Sequence, residues 1–94
     1  MTSYTLRQIC ELLELDEELA GELVREAVLV ADAPERDCYS ALMFERARVA
    51  RELVQELEVN VAGAAVIVRL REEIVDLRRA ACDLARELER VRRE

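Results

Sequence analysis

"NVAGAAVIVRLREEIVDLRRAACDLARELERV", residues 60–91, decides how the rest of this chain is read. Gly63, Ile67, Leu70, Ile74, Leu77, Ala81, Leu84, Leu88 and Val91 follow one another by alternating steps of four and three. Apolar residues at that spacing line one side of an α-helix, and four heptads of them mark a coiled coil. Asn60 is placed to cap the first turn. At ~1.5 Å of rise per residue, about 32 residues give a helix of roughly 48 Å. A compact body of ~60 residues has a diameter of only about 27 Å. The C-terminal part is therefore expected to project from the body with its leucines in water. Burying one Leu or Ile is worth about 1.5–3 kcal/mol, so Ile67, Leu70, Ile74, Leu77, Ala81, Leu84, Leu88 and Val91 are expected to meet a partner helix. The simplest partner is the same helix of a second copy in a two-fold dimer. No glycine or proline turn follows Gly63 to fold the helix back over the body. The a and d pattern alone leaves the relative direction of the two helices open.

Upstream, Thr5 and Gln8 form a capping-box signature that opens a first helix with Leu6, Ile9, Cys10 and Leu13 on one face. A short turn at Glu14, Leu15 and Asp16 follows, with Asp16 as N-cap of a second helix. That helix is expected to bury Leu19, Ala20, Leu23, Val24 and Ala27. Two short helices with so short a connection must pack on each other, as in a helix-turn-helix. "AVLVA" at 27–31 is β-branched enough for a small strand, and "DAPERD" at 32–37 reads as a hairpin or wing loop. Cys38 and Tyr39 are expected to return as the second strand. Ser40 then caps a third helix that presents Met43, Ala47, Ala50, Val54 and Leu57, with Phe44 and Leu53 at the margins, and ends near Glu58 and Val59. The expected architecture is mainly α: a winged helix-turn-helix body over 1–59, and a long C-terminal coiled-coil dimerisation helix over 60–94.

The chain has 94 residues, 52% of them hydrophobic and 37% charged, which suits one small helix-rich domain with a projecting element. No stretch approaches 18 uncharged apolar residues, so a membrane span is not expected. No secretory leader is visible at the N-terminus, which points to the cytoplasm. Histidine is absent, removing the commonest acid–base group and a frequent zinc ligand. Cys10, Cys38 and Cys82 are an odd, scattered set that matches no metal knuckle or disulfide framework, and core packing is the leading expectation for Cys10. Neither a metal nor a cofactor is expected. The net charge of −7 is uneven, because residues 1–45 hold three Arg against eleven Asp and Glu (−8) and residues 46–94 hold eleven Arg against ten (+1).

Helix-turn-helix, wing, further helix and long dimerising helix form the plan of MerR-type proteins, and "YTLRQIC" at 4–10 resembles the opening segment of that superfamily. More specifically, "YTLRQICELLELDEEL" at 4–19 and "LEVNVAGAAVIVRLREEIVDLR" at 57–78 resemble the chaperone modulator CbpM family. The Asn-led turn into the long helix is shared with some MerR-type heat-shock repressors. Tyr39 and the helix after it fit the wing exit, although the family carries more aromatic residues there. The resemblance implies a small helical dimer with no enzymatic step. It implies binding to the J-domain of a DnaJ-like co-chaperone, CbpA, restraining both its stimulation of DnaK and its association with DNA.

The charges can be weighed against that expectation. A MerR-type DNA reader places basic and aromatic residues along the second helix. Here that helix carries Asp16, Glu17, Glu18, Glu22 and Glu26, with only Arg25 opposing. Such a surface repels phosphates and suits a basic protein helix. The candidate docking residues are Glu14, Leu15, Asp16, Glu17, Glu18, Glu22 and Arg25, with Leu15 either an apolar anchor or a residue that closes the two-helix core. Arg69 and Arg71 are expected to be structural, pairing with Glu72, Glu73 or a partner chain. A MerR-type DNA-binding transcriptional regulator is the alternative, which a gel shift at low salt would reveal. An enzyme is the weakest option, since the hydroxyls of Thr2, Ser3 and Thr5 lie beside no base and no phosphate loop is present.

Overall fold

The computed structural model describes residues 2–94 and contains four helices and one two-stranded sheet. In chain order these are β1 (Ser3–Tyr4), α1 (Leu6–Leu13), α2 (Glu17–Arg25), β2 (Tyr39–Ser40), α3 (Ala41–Gln55) and α4 (Val61–Arg93). Every helix start is one that the sequence marks. Thr5 Oγ1 accepts from the Gln8 amide at 3.1 Å while Gln8 Oε1 accepts from the Thr5 amide at 2.8 Å, completing the capping box. Asp16, Ser40 and Asn60 each accept from an amide in the first turn of the helix they open.

The helix ends share a device that carries no glycine. Glu14, Ala27 and Glu58 adopt left-handed backbone with φ of 52°, 58° and 57°. After each, an apolar residue sends its amide back to a carbonyl five or six residues earlier: Leu15 to Cys10 at 2.8 Å, Val28 to Leu23 at 2.9 Å and Val59 to Leu53 at 2.9 Å. These bonds satisfy carbonyls that the helix leaves open, and the apolar residue turns inward. Leu15 and Val28 are buried by this means, and Val59 is half-buried.

Two expectations for the middle of the chain are corrected. Residues 27–31 form no strand. The left-handed turn at Ala27 aims Val28 and Leu29 into the core as irregular backbone. The returning strand at Tyr39–Ser40 pairs antiparallel with β1, matching Ser3 to Ser40 and Tyr4 to Tyr39. The loop between them is closed by Asp32 N donating to Cys38 O at 2.9 Å, and is pinned to the start of α1 by Leu6 N donating to Asp37 Oδ1 at 2.9 Å. A carboxylate at a helix N-terminus is favourable to the helix dipole. Tyr4 stacks on Phe44 with ring centroids 4.7 Å apart, fixing the small sheet to α3.

The core gathers Ile9, Leu15, Leu19, Leu23, Val28, Leu29, Tyr39 and Met43 around the small residues Ala47, Ala50 and Ala65. Val24 and Ala27, expected inside, are exposed because α2 ends at Arg25 and turns away. Leu57 is 67% exposed because α3 ends at Gln55, short of the expected boundary. The long helix runs unbroken for 33 residues. The radius of gyration is 16.9 Å and the longest extent 57 Å, whereas a compact chain of this length would have a radius near 12 Å. The excess is the projecting end of α4, on which every residue from Glu73 onward is exposed.

Candidate functional site

Two surfaces stand out, one on each part of the chain. The first is the corner made by α1 and α2. Short helices and the left-handed turn at Glu14 bring its acids together. Glu14, Asp16, Glu17, Glu18 and Glu26 are exposed and Glu22 is half-buried. None of these six carboxylates is in an ion pair among the described residues, although Asp16 caps α2. Elsewhere Glu45 and Glu52 are held by Arg48, Glu72 by Arg46 and Glu87 by Arg90, whereas Asp32, Glu35, Asp37, Glu56, Glu58, Glu73 and Asp76 are in no ion pair among the described residues. The six at the corner fall within residues 14–26, where the sequence suggests a docking face.

That face is not one plane. Glu17 joins Glu11 and Arg7 at the rim of an open groove between α1 and α2, whose floor is Leu6, Cys10, Leu15 and Ala20. Glu18 and Glu22 lie with Asp16 on the other flank, against the end of α3 and the start of α4. Arg25 is exposed between the flanks, where a Cβ on Gly21 would sit 3.5 Å from its guanidinium. Of the two readings of Leu15 the structure supports the second: at 5% exposure it closes the two-helix core and offers almost no surface to a partner. Glu11 was not among the sequence candidates. Its place in the last turns of α1, three residues before the capping Glu14, was the available signal.

The groove is chemically quiet. Burial pushes the Cys10 thiol above its ordinary acidity range, and Glu17, Asp16 and Glu11 push it further. The thiol therefore stays protonated and unreactive at neutral pH. Among the described residues no group of three or more His, Cys, Asp or Glu is placed to hold a metal ion. Nor, among the described residues, is any helix long and apolar enough to cross a membrane.

The second surface is the seam of α4. Ile67 is 37% exposed, and Leu70, Ile74, Leu77, Leu84, Leu88 and Val91 are exposed with it, as is Ala81. The body packs mainly on the side away from the seam, where Ala65 and Val68 are buried and Glu72 reaches Arg46, and it also covers Ala64 at the seam's flank. Arg69 and Arg71 serve this attachment, though neither is in an ion pair with Glu72 or Glu73. Arg69 Nη2 donates to the Glu26 carbonyl at 3.4 Å, and Arg71 lies 3.9 Å from Glu45.

No protein-family model, curated protein or solved structure matches this chain.

Proposed function

We propose that this chain is a non-enzymatic modulator that binds the J-domain of a DnaJ- or CbpA-like co-chaperone and blocks its stimulation of DnaK, as the likeness to the CbpM family implies. In this proposal α1 and α2 are the helix-turn-helix of a MerR-like scaffold, the loop before β2 takes the place of the wing, and α4 is a coiled-coil dimerisation helix. The protein acts in the cytoplasm without a cofactor.

The supporting observation is the set of unpaired carboxylates at the α1–α2 corner. Carboxylates that find no partner within the chain retain their field for a ligand, and a basic helix is the complementary protein surface. The same field opposes DNA, whose affinity for proteins depends on cations meeting phosphates. Occupation of the J-domain is steric: with the acidic corner seated on its basic helix, DnaK cannot use that surface.

The test is a calorimetric titration with the purified J-domain of a CbpA-like protein from the same organism, at two salt concentrations. Binding that weakens with salt, and that is lost in the Glu17→Arg, Glu18→Arg, Glu22→Arg variant, supports the proposal. A triple variant that binds as well as the wild type places the docking face elsewhere, and no binding by the wild type removes the client.

A further inference from the structure

We propose that the side of α4 centred on Val75 is a docking surface for an acidic amphipathic helix of a partner protein. At 3.6 residues per turn, Arg71, Arg78, Arg79, Cys82 and Arg86 all lie within about 60° of Val75 around the helix axis. Arg71 and Arg78 form one edge of this side, Arg79 and Arg86 the other, and Val75 and Cys82 run between them. The carboxylates of the same stretch, Glu73, Asp76, Asp83 and Glu87, fall beyond those edges. Leu77 and Leu84 of the seam are on the far side of the helix, so this surface is open whether or not the seam is covered.

The body covers only the first part of this side. Val68 is buried and Glu72 is held by Arg46, but α3 begins at Ala41, and Leu42 and Val75 are left exposed beside each other's helix. With Val49 and Val68 they form the apolar lining of a groove of about 400 Å³ between α3 and α4, and beyond it Cys82 is exposed on the same side. The acids of the groove are mostly neutralised within the chain, Glu45 by Arg48 and Glu72 by Arg46, while Asp76 at its rim is in no ion pair. The cations are mostly spare. Arg78 and Arg79 are in no ion pair among the described residues, Arg71 comes no closer than 3.9 Å to Glu45, and Arg86 is 3.9 Å from Asp83 with both side chains exposed.

An apolar line between two rows of spare arginines suits a helix that carries apolar residues on one side and carboxylates on both flanks. From Arg71 to Arg86 the surface runs roughly 22 Å, enough for about 15 residues of partner helix. A flat anionic bilayer cannot reach the floor of a groove set between two helices. A nucleic acid would meet the arginines but leave the apolar floor unused, and no residue of this side is aromatic to stack on a base. The groove is lined by α3 and α4 and the acidic corner by α1 and α2, so a basic helix at the corner and an acidic helix here use different residues.

Fluorescence anisotropy tests this with the whole protein and three labelled probes: a helical peptide with Leu along one side and Glu on both flanks, the same peptide with Lys for every Glu, and an oligothymidylate of similar length. The Glu peptide should bind, more weakly as salt rises, and the Lys peptide should not. Arg79→Gln with Arg86→Gln should weaken the Glu peptide about fivefold or more. Leu42→Asp, which places an acid where the first turn of α3 favours one, should weaken it about tenfold. Neither variant touches the seam, and both should sediment as the wild type does. A Glu peptide that the wild type does not bind, or that binds all three proteins alike, overturns the proposal. So does a Lys peptide that binds equally well. Oligothymidylate binding that is lost with Arg79 and Arg86 makes the surface one for nucleic acid and overturns the assignment to a protein helix.

Discussion

Arg46 of α3 and Glu72 of α4 meet in a two-pronged ion pair, Nε to Oε2 at 2.7 Å and Nη2 to Oε1 at 2.6 Å. The third arm of the guanidinium donates to the Val28 carbonyl at 3.2 Å. One side chain thus ties α3, the turn after α2 and the long helix together. Glu72 is also the last residue of α4 that is half-buried rather than exposed, so this pair marks the point at which the helix leaves the body.

Glu72→Gln should therefore destabilise the body by about 1–2 kcal/mol, since charge-assisted bonds contribute somewhat more than neutral ones and the site is partly screened. The hydrogen bond from Arg46 is the main cause that holds the Glu72 carboxyl below its ordinary value of 4.5. A carboxyl made more acidic by folding stabilises the fold above its unfolded value, and that contribution is lost as pH falls through the lower folded value. Thermal melts of wild type and variant should differ by a constant amount from neutral pH down to about 4.5 and converge below it. Curves that stay parallel into the acid range would show that the ionic form of Glu72 contributes nothing.

Glycine at the left-handed helix ends should stabilise the protein. Glu58 and Ala27 hold φ of 57° and 58°, a region that costs an L-residue about 1–2 kcal/mol. Glycine removes that strain while adding roughly 0.5–1 kcal/mol of unfolded-state entropy. Glu58→Gly and Ala27→Gly are each expected to gain several tenths of a kcal/mol or more, measured as a higher midpoint in urea with an unchanged slope. A lower midpoint for both would mean that the native turns are unstrained.

Helix starts were legible in the sequence because side chains make them: Thr5 with Gln8, Asp16, Ser40 and Asn60 each bond a first-turn amide. The end of α1 at the Glu14 turn was legible too, but those of α2 and α3 were not, because Ala27 and Glu58 reach left-handed backbone through tertiary packing of the residue that follows. The same cause hid the fate of residues 27–31, whose β-branched composition also suits the inward loop that Val28 and Leu29 make. Pairing of β2 with β1 was out of reach because two-residue strands carry no period. The acids of the corner were visible as a run, but their division between two flanks depends on how α1 lies across α2. Leu15 shows the limit most plainly. Its place in a turn suggests exposure, and the closing bond from its amide to Cys10 turns it inside.

Acids in the exposed seam should separate assembly from folding. Leu77 and Leu84 are 68% and 70% exposed on the single chain, so Leu77→Asp with Leu84→Asp removes no packing from the body. An unpartnered helical arm of this length is marginal in water. The double variant is expected to sediment as a monomer and to lose helical circular dichroism from the arm. Protection of body amides such as those of Ile9 and Leu23 should be retained in hydrogen exchange. Loss of that protection would mean that the body depends on the dimer for its fold.

The two flanks of the acidic corner should differ in what they contribute to docking. Glu11 and Glu17 border a groove with an apolar floor, and affinity comes chiefly from desolvated apolar contact with charge setting rate and register. Glu18 and Glu22 border the α3–α4 side, where a partner meets the ends of two helices. Glu11→Arg with Glu17→Arg should therefore slow association and speed dissociation of a J-domain. Glu18→Arg with Glu22→Arg should mainly slow association, an effect that fades within moderate salt as screening shortens the field. Surface plasmon resonance at two ionic strengths separates the rates. If the Glu18 and Glu22 pair proves to govern dissociation instead, the partner seats against the far flank of α2 and the groove over Cys10 is only a depression in the surface.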